Sequence, residues 1–257
     1  MLKLDSIYTS FNKGTVDETQ LFSDFSFEAA EGEFVSIVGS NGSGKTTMLN
    51  LICGSLLPDS GDVLLDGKSI KKLKEYKRSK IIGRVFQDPK MGTCADLTIL
   101  ENMALADNKN KSYGLTPAVS QSRVDYYRTL LSQCNMGLEQ RMGVNVGNLS
   151  GGQRQALSLI IATMSDIRLL ILDEHTAALD PRTADLVMEL TDKIVREKKL
   201  TALMVTHNLR YAVEYGTRLI MMDKGKIVVD KNGEEKLKTT TEDLLGIFNR
   251  ISIECGN

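Results

Sequence analysis

Residues 33–57 limit the possible folds of this chain more than any other stretch. Glu33-Phe34-Val35-Ser36-Ile37-Val38 is a short apolar run with strand character that ends at Gly39-Ser40-Asn41-Gly42-Ser43-Gly44-Lys45-Thr46, and Thr46 to Leu57 then reads as a helix stopped by Pro58. A strand entering a glycine-rich loop and leaving as a helix is the unit from which phosphate-binding α/β folds are built. Gly39, Gly42 and Gly44 let the backbone turn tightly, so that successive N–H groups and the helix N-terminus face an anion. Lys45 adds a point charge, and the Thr46 hydroxyl suits Mg2+, which keeps most of its shell as water and phosphate oxygen. The pattern GxxxxGK[ST] therefore makes Ser40, Asn41, Gly42, Ser43, Gly44, Lys45, Thr46 and Thr47 candidate nucleotide-phosphate contacts.

Two more apolar runs, Leu169-Leu170-Ile171-Leu172 and Ala202-Leu203-Met204-Val205, read as buried parallel strands ending in polar residues. Ligands of open α/β sheets lie at those carboxyl ends. The first run leads into Asp173-Glu174, and because neighbouring strand residues point opposite ways, the two acids can divide the work. Asp173 is expected to orient Mg2+ through its water shell, and Glu174 to polarise the attacking water as a general base. His207, one of only two histidines, ends the second run, where an imidazole can reach the γ-phosphate or the water.

The remaining segments have other patterns. The first thirty residues and Gly61-Asp62-Val63-Leu64-Leu65-Asp66-Gly67 read as short antiparallel strands. From Pro89 to Ser165 the pattern is mainly helical, interrupted by a polar stretch, Asp107 to Ser112, expected to be a mobile loop. Lys224-Gly225-Lys226 reads as a hairpin turn, and Glu242 to Ile251 has helical spacing. With no internal repeat, residues 1–257 are expected to form one domain. Its core covers about 1–88 and 166–230, a helical subdomain about 89–165, and a C-terminal hairpin and helix about 225–257. Lys71 to Lys80 is a basic run, expected to be a solvated helix face.

Composition excludes several classes. A hydrophobic content of 42% supports a packed core, and a formal net charge of −1 argues against affinity from bulk attraction to nucleic acid or anionic lipid. No run reaches the roughly 18 to 20 apolar residues that cross a bilayer, and the opening Met1-Leu2-Lys3-Leu4-Asp5 does not lead one to expect a secretory signal. Cys53, Cys94, Cys134 and Cys255 are far apart with no CxxC pair, so reduced thiols are expected rather than a zinc site or disulfides.

Leu149-Ser150-Gly151-Gly152-Gln153, between the phosphate loop and Asp173-Glu174, completes a set of motifs. With it the chain resembles, from end to end, the ATP-binding cassette (ABC) ATPases. The resemblance implies an α/β phosphate-loop ATPase core with an antiparallel β subdomain and an inserted helical subdomain, using ATP and Mg2+. It implies that the pentapeptide contacts ATP held by a second copy, so that a head-to-tail homodimer encloses two ATP molecules, each touching Lys45 and Thr46 of one chain and Ser150 and Gly152 of the other. By the same resemblance Gln87 joins core to helical subdomain and senses Mg2+ and the water, Asp180 belongs to a loop crossing the dimer interface, and His207 is the switch histidine. Phe11 takes the place of the aromatic residue that stacks on adenine, with Tyr8 a competitor.

Most relatives have proline after the catalytic glutamate, whereas this chain reads Glu174-His175-Thr176-Ala177-Ala178-Leu179-Asp180. That segment resembles a subgroup of bacterial importer ATPases, some linked to aromatic amino acid uptake. It leaves His175 as either a marker packed beside the site or a catalytic group. A transmembrane permease, and through it an extracytoplasmic solute-binding protein, are the partners implied, at the cytoplasmic face of the cell membrane, with no nucleic acid. An exporter or lipid-extracting system would use the same cassette, and a soluble ABC protein of translation or DNA repair is the non-transport alternative.

Overall fold

The alternating strands near the amino terminus and the apolar strand that leads into the glycine-rich loop go to different sheets. The computed structural model describes residues 1–254 apart from 110, 112, 113, 115 and 116, and α-carbon contacts divide the chain into two compact units, Met1–Ser79 with Leu200–Asn257, and Lys80–Lys199. Cys255 lies outside the described residues.

The first unit opens with β1 (Leu2–Phe11), β2 (Thr19–Ala29), β3 (Phe34–Gly39), α1 (Lys45–Cys53), β4 (Ser60–Leu65), β5 (Lys68–Ser69) and the single-turn α2 (Glu75–Arg78). β1, β2, β4 and β5 form an antiparallel sheet in the order β2-β1-β4-β5, with Leu2, Leu4 and Ile7 of β1 turned inward. β3 is buried at every position, which its unbroken apolar run requires.

Helix α1 ends at Cys53, earlier than the Pro58 stop expected from the sequence. Gly54 takes a left-handed φ of 86° and its N–H closes on the Asn50 carbonyl, a C-terminal cap that ends the helix before the proline can. A β-carbon at Gly54 would lie 2.6 Å from Arg78 Nε. Arg78 is fully buried and donates to the carbonyls of Leu51 (2.7 Å), Ile52 (2.9 Å), Lys71 (2.9 Å) and Leu73 (3.0 Å), thus satisfying carbonyls at the end of α1. The basic run is solvated at Lys72, Lys74, Lys77 and Lys80, which are exposed, but it is not one helix face. Only residues 75–78 are helical, Lys71 is tied to the Gly61 carbonyl, and Arg78 points inward.

The second unit contains β6 (Ile82–Val85), α3 (Ile99–Asn108), α4 (Val124–Ser132), α5 (Gly151–Thr163), β7 (Leu169–Asp173) and α6 (Pro181–Lys198), with β6 and β7 parallel. Asp107 and Asn108 form the last turn of α3 instead of starting a loop, because the Asp107 carboxylate has partners: Arg123 (2.8 and 3.0 Å), Lys111 (2.9 Å) and the Tyr127 hydroxyl (3.0 Å). Those bonds, opposing the cost of burial, hold Asp107 at about 2, while burial and Asp107 together push Tyr127 up to about 12. Asn110 and Ser112 lie outside the described residues.

The chain returns to the first unit with β8 (Thr201–Val205), α7 (Leu209–Glu214), β9 (Arg218–Asp223), β10 (Lys226–Asn232), α8 (Gly233–Leu237) and α9 (Thr241–Glu254). β3 pairs in parallel with β8 on one side and β9 on the other, and β10 runs antiparallel to β9 across the turn at Lys224 and Gly225. Among the described residues Cys53 and Cys134 are buried, Cys94 is exposed and no disulfide joins them. Burial pushes the Cys134 thiol up to about 12.

Candidate active site

The phosphate loop continues directly from β3. Gly39 has φ 155°, and a β-carbon there would lie 2.2 Å from the Met222 carbonyl oxygen of β9, so this strand end admits only glycine. Gly44, φ 105°, starts α1 and faces the Phe22 ring, 2.9 Å from where its β-carbon would stand. No side chain caps α1, whose first turn, Lys45 to Thr47, follows directly on Gly44 of the loop. Lys45 is buried and folds back into the loop, donating from Nζ to the carbonyls of Gly39 (2.8 Å) and Ser40 (2.9 Å). Ser40, Asn41, Gly42 and Thr46 are exposed while Ser43 is buried.

His207 follows β8 and is exposed. It shares with Gly39, Ser40, Asn41, Thr206 and Phe248 the walls of a cavity of about 250 Å3, so the structure brings the histidine to the first half of the phosphate loop. Asn208 beside it caps α7 through Arg210 N–H at 3.0 Å. In the same unit Phe11 ends β1, 38% exposed, whereas Tyr8 is half-buried.

The second unit holds the other candidates. Gln87 is exposed just after β6, and the Gln155 side chain of α5 donates to the preceding Phe86 carbonyl at 3.0 Å, fixing where that segment leaves the sheet. Asp173 ends β7 and its Oδ2 accepts from Arg84 of β6 at 2.7 Å, with both side chains mostly buried. Arg84 also lies over the Phe86 ring at 4.8 Å. Glu174 has a φ of 48°, a conformation rare for a residue with a side chain, which lets the chain turn sharply away from the strand.

His175 is fully buried and its Nε2 lies 3.2 Å from the Thr191 hydroxyl of α6, which itself donates to the Val187 carbonyl. The hydroxyl proton is committed, so Nε2 carries the hydrogen and His175 is the donor. Burial pushes its pKa down to about 4, so the ring is neutral at physiological pH. Of the two readings of His175, a residue packed beside the acid pair fits this geometry. Asp180 caps α6 by accepting from Thr183 N–H at 3.1 Å, and that bond holds its carboxyl below the usual range.

Ser150 caps α5 in a reciprocal box with Gln153, whose amide also reaches the Met136 carbonyl. Leu149 is buried, and a β-carbon on Gly152 would meet Thr183 Cγ2 at 2.0 Å. Within the pentapeptide Ser150 and Gly151 are thus the exposed members, while Leu149, Gly152 and Gln153 serve the fold. Sequence reasoning missed Arg84, Gln155 and Thr191. An arginine inside the apolar strand before Phe86-Gln87 was the one available signal.

Thr46 in the first unit and Asp173 in the second are each a hard oxygen donor, and among the described residues no three or more His, Cys, Asp or Glu gather into a cage. Among the described residues no helix is long and apolar enough to cross a membrane.

A phosphate loop with its lysine in place and a capped glycine pair, in an α/β frame, define a nucleotide-hydrolysing cassette. The family model described as ABC transporter matches residues 22–177, and this chain belongs to that family. It is the ATP-binding, ATP-hydrolysing subunit of an ABC transporter. It is 46% identical to a tyrosine transport ATP-binding protein of Clostridioides difficile (strain R20291), over 96% of this chain and 98% of that protein. Among solved structures it resembles the ATP-binding cassette MJ0796 in a dimeric post-hydrolysis state bound to ADP and Pi, with TM-score 0.77, 29% identity, and 90% and 98% of the two chains covered. It also resembles cbiO1 of Clostridium perfringens, part of the ABC transporter complex cbiONQ, with TM-score 0.76, 26% identity, and 96% and 94% covered.

Proposed function

We propose that this chain powers a bacterial importer for an aromatic amino acid, tyrosine or a close analogue, as a head-to-tail homodimer at the cytoplasmic face of a transmembrane permease. The permease would receive the solute from an extracytoplasmic binding protein. The observation that carries this reading is the near full-length similarity to a tyrosine transport ATP-binding protein, supported by the segment Glu174 to Asp180, which resembles that of importers linked to aromatic amino acid uptake.

In this proposal Lys45 and the N–H groups at the start of α1 bind the β- and γ-phosphates. Thr46, Asp173 and Gln87 are the residues that would hold Mg2+, which neutralises charge on the phosphate oxygens when bound. Glu174 orients the attacking water and takes its proton, and His207 contacts the γ-phosphate side from the end of β8. The Ser150 hydroxyl and the start of α5 meet the γ-phosphate of ATP bound to the second copy, and Asp180 lies in the loop facing that copy. The adenine stacks on Phe11. ATP favours closure because these contacts need an intact γ-phosphate, and hydrolysis removes them.

Affinity purification of the tagged chain from gently solubilised membranes tests the transport assignment. Recovery of a polytopic permease, whose binding protein takes up tyrosine in calorimetry, is expected. Recovery of translation or DNA-repair proteins with no permease would contradict it, and a binding protein that ignores aromatic amino acids would remove the solute.

A further inference from the structure

Asp223 lies outside every motif read from the sequence, yet it contacts the phosphate loop. Its Oδ1 accepts from the Ser40 hydroxyl at 3.0 Å. Two residues later the Gly225 N–H donates to the Ser43 carbonyl at 3.0 Å, and just before it the Met222 carbonyl closes on Gly39. The β9–β10 turn therefore touches the loop at Gly39, Ser40 and Ser43. The turn itself is rigidly set: Lys224 and Gly225 both have left-handed φ, 43° and 75°, and a β-carbon on Gly225 would lie only 1.9 Å from the Leu21 carbonyl of β2.

The loop has three exposed residues in a row, Ser40 to Gly42, and glycine-rich backbone loses much freedom when it is ordered. Contacts that order it beforehand lower that cost when a ligand binds. We propose that Asp223 is a positioning residue for nucleotide binding: through Ser40 Oγ, and together with the Gly225 N–H on Ser43, it holds the phosphate loop in its anion-binding shape before nucleotide arrives. The inference rests on the assignment of residues 39–46 to the nucleotide phosphates. It acts by hydrogen bonding and not by charge, since a carboxylate near a polyphosphate gains nothing from its charge.

The test is titration of the full-length chain with fluorescent methylanthraniloyl-ADP. Asp223→Ala and Ser40→Ala should each raise Kd about tenfold, and the double variant should be no weaker than either single one, because both remove the same hydrogen bond. Asp223→Asn, whose amide oxygen still accepts from Ser40, should stay within about twofold of the parent. A Kd unchanged in Asp223→Ala, additive losses in the double variant, or a loss in Asp223→Asn equal to that in Asp223→Ala would each overturn the inference. Should Asp223→Ala not fold, Asp223→Leu, which keeps the volume but has no acceptor, takes its place: a rise of about tenfold supports the bond and parental affinity refutes it. Lys45→Ala is the control for the underlying assignment, and parental affinity there would remove the loop from the phosphate site altogether.

Discussion

The phosphate loop and the segment from Asp173 to Asp180 both end buried strands, but they are held in opposite ways. The loop is fixed mostly by backbone: glycines at positive φ, carbonyls of neighbouring strands and Lys45 turned onto Gly39 and Ser40, with Asp223 on the Ser40 hydroxyl the side-chain exception. The acidic segment is fixed by side chains: Arg84 on Asp173, His175 on Thr191, and Asp180 on the first turn of α6. A site made of backbone tolerates almost no added atom, whereas one made of side chains tolerates new shapes and is sensitive to charge. The first kind leaves a sequence pattern, and the second leaves almost none.

Three variants probe this contrast. Gly39→Ala should have the largest effect, because its methyl group would stand 2.2 Å from the Met222 carbonyl; nucleotide titration should find no measurable binding. Parental affinity in that variant would show that the loop is not sterically fixed. Arg84→Met keeps volume but leaves Asp173 without its guanidinium, and should lower stability by about 3 kcal/mol in urea unfolding, as breaking a mostly buried ion pair does. A loss below about 1 kcal/mol would mean that the acidic segment does not depend on the pair.

The smallest effect concerns His175 and acid. Its folded pKa, about 4, lies below the ordinary 6.5, so the unfolded chain takes up a proton in a range where the folded chain does not. Its contribution to stability is intact above pH 6.5 and is lost as pH falls toward 4, by about 2 kcal/mol at pH 5. His175→Leu should flatten the stability profile between pH 6.5 and 4 by about that amount. A profile parallel to the parent's would show that His175 does not titrate as a buried neutral ring.

Periodicity and glycine placement made the strand, loop and helix around residues 33–57 legible, along with the strands ending at Asp173 and Val205 and the turn at Lys224-Gly225. These are local properties, written in neighbouring residues. What stayed hidden was lateral. The stop of α1 at Gly54 depends on how Arg78 packs over it, and the Arg84 to Asp173 and Asp223 to Ser40 pairs join residues far apart in the chain. A single sequence reports that a residue is charged, but its partner is decided by strand register, which apolar spacing does not contain. The same holds for Asp107, polar in pattern but tied into its subdomain by Arg123 and Tyr127.

The claim that each nucleotide site is shared between two copies is tested most directly by light scattering on Glu174→Gln. This variant should bind MgATP within a few-fold of the parent, hydrolyse it about 100 to 10,000 times more slowly, and with ATP shift to twice the 28.4 kDa of one chain. Adding Ser150→Arg should return it to the single-chain mass by placing a bulky cation at the start of α5. A chain that remains at 28.4 kDa with ATP bound, or a dimer that Ser150→Arg leaves intact, would contradict the shared site.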